Sequence, residues 1–344
     1  MNMKKLMTTM AAIAITTMTM AKGIYIVAGG DFRIPTATAT IVATNSSPFM
    51  FAKNIYAKDD FSIKVKSIEE TKYLKNTYTN FMLTCSEPGT YKVKIFDPNK
   101  RLWYFNFMDC KCIKEFKFPS YCTNNNVWAS TFQNSSIESV VLPPTISQIG
   151  NTMFNKCPNL KEIEIPDSVT SIGVSAFAWS GFERISLPDS VISLGNSCFE
   201  ACDVSLNGTT TSLLYVKLSN SITNIPKRCF NSSKHLETVI LPTGLRTIGE
   251  QAFYSISALN NLTFPTTIEF IDSEAFKHNS SLTDINFRGT LEQYKNNAVL
   301  VGAFGSVPED ATPTDNTILL NADGTYANGT ASAPRKTLHF NYVD

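Results

Sequence analysis

A phenylalanine returns at a nearly constant interval through half of the chain, and no other feature constrains the fold as tightly. Phe154, Phe177, Phe199, Phe230, Phe253 and Phe276 each stand eleven residues after a mark that closes a short apolar triplet. Those marks are Pro143, Pro166, Pro188, Ser219, Pro242 and Pro265. With Pro119 before them and Arg288 after, the intervals are 24, 23, 22, 31, 23, 23 and 23 residues. Phe132 belongs to the first unit, at an offset of thirteen. Two landmarks kept in step over so many units signal a stacked repeat array, here residues 109–288 in about eight units.

Each unit has a physical reading. The triplets, such as Leu160, Ile163 and Ile165, turn one face of a short strand inward. Proline has no N–H to give to the ladder, so it ends the strand and turns the chain. A second inward segment, V-x-x-I-G, follows, and its glycine (Gly150, Gly173, Gly195, Gly249) is expected to relax the next turn. The A-F pair is expected in a single helical turn or short helix. Stacked at about 4.8 Å per repeat, Phe132, Phe154, Phe177, Phe199, Phe230, Phe253 and Phe276 form a continuous structural ladder.

The flanks read differently. Residues 1–21 carry Lys4 and Lys5, an apolar stretch and then Ala21, the pattern of a cleaved secretory signal. An uncleaved anchor is the alternative, and no later segment is apolar enough to span a bilayer. Residues 22–108 hold short β-prone runs at roughly ten-residue spacing, separated by turn signals such as Pro88-Gly89. They are expected to form a small β-sandwich module that covers the first repeat or binds sugar or protein. Within it, the phrase from Glu87 to Val93 resembles a turn of immunoglobulin-like domains. Residues 289–344 lose the period and read as a β-rich cap. Its acidic residues Glu309, Asp310 and Asp315 match no calcium loop.

Composition narrows the function classes. Lys plus Arg total 30 against 29 Asp plus Glu, which gives no field for nucleic acid. Three scattered histidines and the absence of paired Cys-x-x-Cys motifs argue against zinc. Neither G-x-S-x-G nor H-E-x-x-H occurs, and no paired acid and base stands out. The expectation is a non-enzyme with no cofactor and no metal.

Eight cysteines remain, and an even count in an exported chain permits disulfides. Cys157, Cys198, Cys202 and Cys229 fall on repeat positions that read as small buried hydrophobes. The sharper alternative is a disulfide between Cys198 and Cys229, which hold the same position in consecutive units.

The string I-x-I-P-x-S-V-T-x-I-G-x-x-A-F-x-x-C, best matched by 163–180 and 185–202, resembles the BspA-like leucine-rich repeat family of exported proteins. The resemblance implies a leucine-rich repeat solenoid, curved, with a parallel β-sheet and short helical or irregular returns. It also implies a role in adhesion or recognition without catalysis. Ser219, Pro226 and Asp272 depart from the pattern.

Residues between the triplet positions point outward and are free to bind. A patch of Arg184, Tyr215 and Lys217 beside Glu162 and Glu164 is the candidate partner contact, with Asp284 further along. A solvated sheet face with complementary charges is the competing reading. The insertion 203–212, which contains Asn207, is a second candidate, equally readable as neutral drift. The expected partner is a host extracellular-matrix or surface protein, or a glycan bound through the N-terminal module, met at the cell surface, facing the periplasm or in secreted form. A hydrolase is the remaining alternative.

Overall fold

The computed structural model describes residues 23–27, 37–44, 49–57, 61–65, 71–74, 79–83, 89–96, 102–104, 106–123, 129–206, 209–305, 307, 317–320 and 336–341. The secretory-signal pattern, Cys85, Asn207, Glu309, Asp310 and Asp315 lie outside them. Among the described residues, no helix is long and apolar enough to cross a membrane.

The repeats build a β-solenoid with three faces. On the first, the triplet strands stack in parallel: Ile113–Lys117, Ser139–Val141 and Glu162–Ile163, then Arg184–Ser186, Tyr215–Lys217 and Thr238–Ile240, then Asn261–Phe264 and Asp284–Phe287. The second face holds the shorter V-x-x-I-G strands in two parallel groups. One is Gln148–Ile149, Ser171–Ile172 and Ser193–Leu194; the other is Asn224–Ile225, Thr247–Ile248 and Phe270–Ile271. The break between them falls at the unit with Pro226. Gly173, Gly195 and Gly249 donate an N–H to the turn before, reaching Ile149, Ile172 and Ile225. Proline has none to give.

The third face carries the phenylalanines, and here the structure corrects the expected helix. The returns are hydrogen-bonded turns in which alternate N–H groups point along the solenoid axis. Phe154 donates to the Ala176 carbonyl at 2.8 Å, Phe177 to Cys198 at 2.9 Å and Phe199 to Cys229 at 2.9 Å. The residues two before and two after each ring from Phe132 to Phe253 adopt left-handed backbone, as at Ser175 (φ 51°) and Trp179 (φ 61°). That conformation costs an ordinary residue about 1–2 kcal/mol. The bonds that these same residues make to the next turn, Ser175 to Asn196 and Trp179 to Glu200, offset the cost.

The ring ladder runs from Phe132 to Phe276 with centroids 5.2–5.6 Å apart and planes within 7° of parallel, except for 25° between Phe230 and Phe253. It also extends one rung further back than the sequence period reaches, because Phe107 stacks on Phe132 at 5.3 Å. Side rings brace it edge-on, Phe118 against Phe132 and Phe182 against Phe177.

The glycines serve a different purpose from the one expected. Their backbone is not left-handed. A Cβ on Gly195 would lie 2.4 Å from the Val174 nitrogen, and one on Gly173 would lie 2.6 Å from the Asn151 nitrogen. Close approach of consecutive turns excludes a side chain there.

Both ends of the array are covered. Ala37–Ala43 pairs antiparallel with Ile113–Lys117, so strands from the N-terminal segment and from the first repeats share one eight-stranded sheet. The alternation A-T-A-T-I-V-A turns Ala37, Ala39, Ile41 and Ala43 into the core. At the other end, helices α1 (Leu291–Lys295) and α2 (Ala298–Phe304) follow the last repeat strand, which the β-rich expectation did not include. Thr290 and Gln293 form a capping box at α1, and the fully buried Tyr294 gives its hydroxyl hydrogen to the Gly305 carbonyl at 3.0 Å. Lys336–His339 then adds one more parallel strand beside Asp284–Phe287, with Thr317–Leu320 antiparallel outside it.

Candidate interaction face

The outer side of the long sheet is organised in two columns, because residues on either side of each buried strand centre point to solvent. Ile185, Val216 and Val239 are the buried centres of the middle three strands. Their register aligns Arg184, Tyr215 and Thr238 in one column and Ser186, Lys217 and Ile240 in the other.

Arg184 and Tyr215 are brought together. The guanidinium carbon sits 4.2 Å from the centre of the phenol ring, a cation–π contact that holds both side chains in place. Lys217 is exposed two residues along the Tyr215 strand. Ile240, its neighbour in the column, keeps 39 % of its surface exposed, and Val141 in the earlier strand group keeps 55 %. Glu162 and Glu164 are exposed on the turn before Arg184. Their strand does not pair with Arg184–Ser186, and the arginine is held by the tyrosine rather than by either carboxylate.

Asp284 is not part of this cluster. It lies four turns beyond Arg184, roughly 19 Å at the usual strand spacing. Its carboxylate faces the C-terminal cap, 3.2 Å from His339 Nε2, and accepts a hydrogen bond from the Thr283 hydroxyl at 2.7 Å. Asn286 beside it is buried. The far end of the face is therefore occupied by the protein's own cap.

The insertion is a hairpin rather than an open loop. Asp203–Leu206 pairs antiparallel with Thr209–Ser212, leaving the solenoid at Cys202 and rejoining it at Leu213, whose N–H donates to the Cys202 carbonyl at 2.9 Å. At its base, His235 Nδ1 lies 3.1 Å from both the Asp203 carboxylate and the Ser212 hydroxyl.

Cysteines occupy the ladder itself. Cys157 Sγ donates to the Phe132 carbonyl at 3.0 Å and Cys202 Sγ to the Phe177 carbonyl at 3.2 Å, so they are more than small hydrophobes. Ser180 and Ser233, each on the turn after one of these cysteines, make the same bond, to Phe154 at 2.7 Å and Phe199 at 2.9 Å. Burial pushes the Cys157 thiol up to about 12 and raises Cys202 and Cys229 as well. Cys198 and Cys229 stand on adjacent turns as free thiols, their sulfurs 3.4 Å apart and both fully buried.

A 23-residue period, strands on one face, stacked phenylalanines and a Cys or Ser tie beneath four consecutive rings, Phe132 to Phe199, together define one repeat type. Residues 89–205 and 208–300 match the BspA type leucine-rich repeat region, in six copies that span more than half of the chain. The chain belongs to the BspA-type leucine-rich repeat family. No curated protein sequence matches it.

Among solved structures, this BspA-type chain is similar to a leucine-rich repeat protein from Bacteroides ovatus, at 18 % identity and a TM-score of 0.41, over 68 % of this chain and 70 % of that one. It is also similar to a leucine-rich cell surface protein from Faecalibacterium prausnitzii, at 13 % identity and a TM-score of 0.29, over 72 % of this chain and 97 % of that one. These superpositions are loose, and the family assignment rests on the repeats.

Two signals for BspA-type residues outside the regular period lay in the sequence. Phe107 and Cys110 spell F-x-x-C, as Phe154 with Cys157 and Phe199 with Cys202 do. Gly289-Thr290 followed by Gln293-Tyr294 is a capping-box phrase.

Proposed function

We infer that this BspA-type repeat protein is a non-catalytic, exported interaction protein that binds a partner protein through the outer face of its long sheet. The observation that carries the reading is the Arg184–Tyr215 stack at 4.2 Å, with exposed Lys217 and Ile240 in the adjoining column. Arginine and tyrosine are favoured as interface anchors. A pair already locked against each other loses little side-chain entropy on binding. The face is also a regular array of parallel strands, which suits a protein surface better than a small substrate. The N-terminal signal pattern and the family's cell-surface character support export. A host extracellular-matrix or cell-surface protein with an acidic and aromatic patch is the partner class that fits an Arg–Tyr–Lys cluster.

The test compares residues 22–344 with the triple variant Arg184→Ala, Tyr215→Ala, Lys217→Ala against a panel of purified matrix and surface proteins. The variant is expected to bind at least about tenfold more weakly, roughly 1.4 kcal/mol or more, with an unchanged melting curve. A partner bound equally by both forms would remove this face from consideration.

A further inference from the structure

A cavity of about 480 Å³ lies between the last phenylalanine turn and helix α2. This is within the range of small-molecule sites. Phe276, Leu282, Val299 and Phe304 give it apolar walls, and Asp272 and Lys336 are its polar groups at issue. The sequence period supplies the first wall, the helical cap the second and the added C-terminal strand the third, so the site exists only where the three meet.

The charges are arranged unevenly. Lys277 also lines the cavity, but its ammonium is tied to Glu274 at 2.9 Å and is already neutralised. Asp272, which stands where other turns have glycine, accepts the Glu274 N–H at 3.0 Å through one oxygen. Lys336 has no carboxylate partner among the described residues. It is half-buried, and its ammonium lies 5.8 Å from the centre of the Phe304 ring. Desolvation holds that ammonium below the usual lysine value. An unpaired cation beside apolar walls is poorly satisfied, and a bound anion would complete it.

We propose that this cavity binds a small monocarboxylate with an apolar body, whose carboxylate pairs with Lys336 and whose body packs against the wall that the touching rings of Phe276 and Phe304 form with Leu282 and Val299. Asp272 sets the second half of the specificity. Its negative charge repels a ligand that carries a second carboxylate, so a monoanion is selected over a dianion.

Titration calorimetry on the full chain tests this with hexanoate, benzoate and 3-phenylpropionate. Hexanamide serves as the uncharged probe and adipate as the dianion. Saturable binding is expected for at least one monocarboxylate, and binding at least about tenfold weaker for hexanamide and adipate. Lys336→Met is expected to cost a similar factor. Gly302→Leu provides the independent arm. Gly302 lines the cavity, and a Cβ there meets nothing within 4 Å. The leucine should fill the space and abolish binding while the circular-dichroism melting curve is retained. The proposal is overturned if none of the acids binds saturably at millimolar concentration, or if binding survives either substitution at wild-type strength.

Discussion

Cys157 and Ser180 occupy the same place on successive turns and do the same thing: each donates to the carbonyl of the phenylalanine one rung back. The thiol differs only in being titratable, and burial makes the thiolate unfavourable there. Its pKa rises from 9.0 to about 12 on folding. The native state therefore holds a proton that the unfolded chain releases between those values. Stability is complete below pH 9 and lost as pH climbs, by about 1.4 kcal/mol per unit. Cys157→Ser keeps the hydrogen bond and removes the titration. In denaturant melts under reducing conditions, the wild type should lose about 2–3 kcal/mol relative to Cys157→Ser between pH 8 and pH 11. A constant difference across that range would show that the thiol is not the titrating group. The bond itself was not legible in the sequence. Spacing put Cys157 and Cys202 under the rings, but the carbonyl they reach belongs to a different turn, and the left-handed backbone that aims it leaves no mark in residue identity.

The turn as an element shows the same division. Where the apolar triplets, prolines and phenylalanines fall in the period was readable, because each landmark reflects burial or a missing N–H within one unit. What happens between units was not. Gly195 reads as a turn residue, yet its backbone is ordinary and its missing side chain matters to the turn below, whose Val174 nitrogen is 2.4 Å from where a Cβ would stand. Gly244 is the contrasting case, with nothing within 4 Å of a Cβ. Gly195→Ala must push two backbones apart and should cost about 1–3 kcal/mol. Gly244→Ala only narrows the unfolded ensemble and should be neutral or stabilise by about 0.4–1 kcal/mol. Thermal melts of the two variants should shift in opposite directions or, at the least, only the first should fall. Equal shifts would contradict the close packing of turns. Helices α1 and α2, at five and seven residues, are too short to develop a period of their own, and only the capping box announced the first.

At the scale of the whole molecule, each turn bonds only to its neighbours, so stability behaves as a sum of local interfaces and depends on how the ends are closed. The N-terminal closure is one strand. Ala39, 3 % exposed, sits opposite Phe116, and the Val42 N–H reaches the Cys112 carbonyl at 2.8 Å. The alternating T-A-T-A run was legible as a strand, but not its partner, since pairing at a distance of more than 70 residues has no local signature. Ala39→Arg places an unpaired charge against that apolar face, one of the few mechanisms that cost more than about 3 kcal/mol. The damage should be directional. Hydrogen exchange should accelerate at Ile113–Lys117, then less at Ser139–Val141, while Thr238–Ile240, several turns away, keeps its protection. The exposed strand edge should also make the variant self-associate in a concentration-dependent way. Uniform loss of protection along the array would mean that the solenoid melts as one cooperative block, and no loss at all would mean that the first turn closes without its cap. Because the Arg184–Tyr215 stack lies in the second strand group, beyond the break after Glu162–Ile163, a graded result also predicts that partner binding outlasts the loss of the cap.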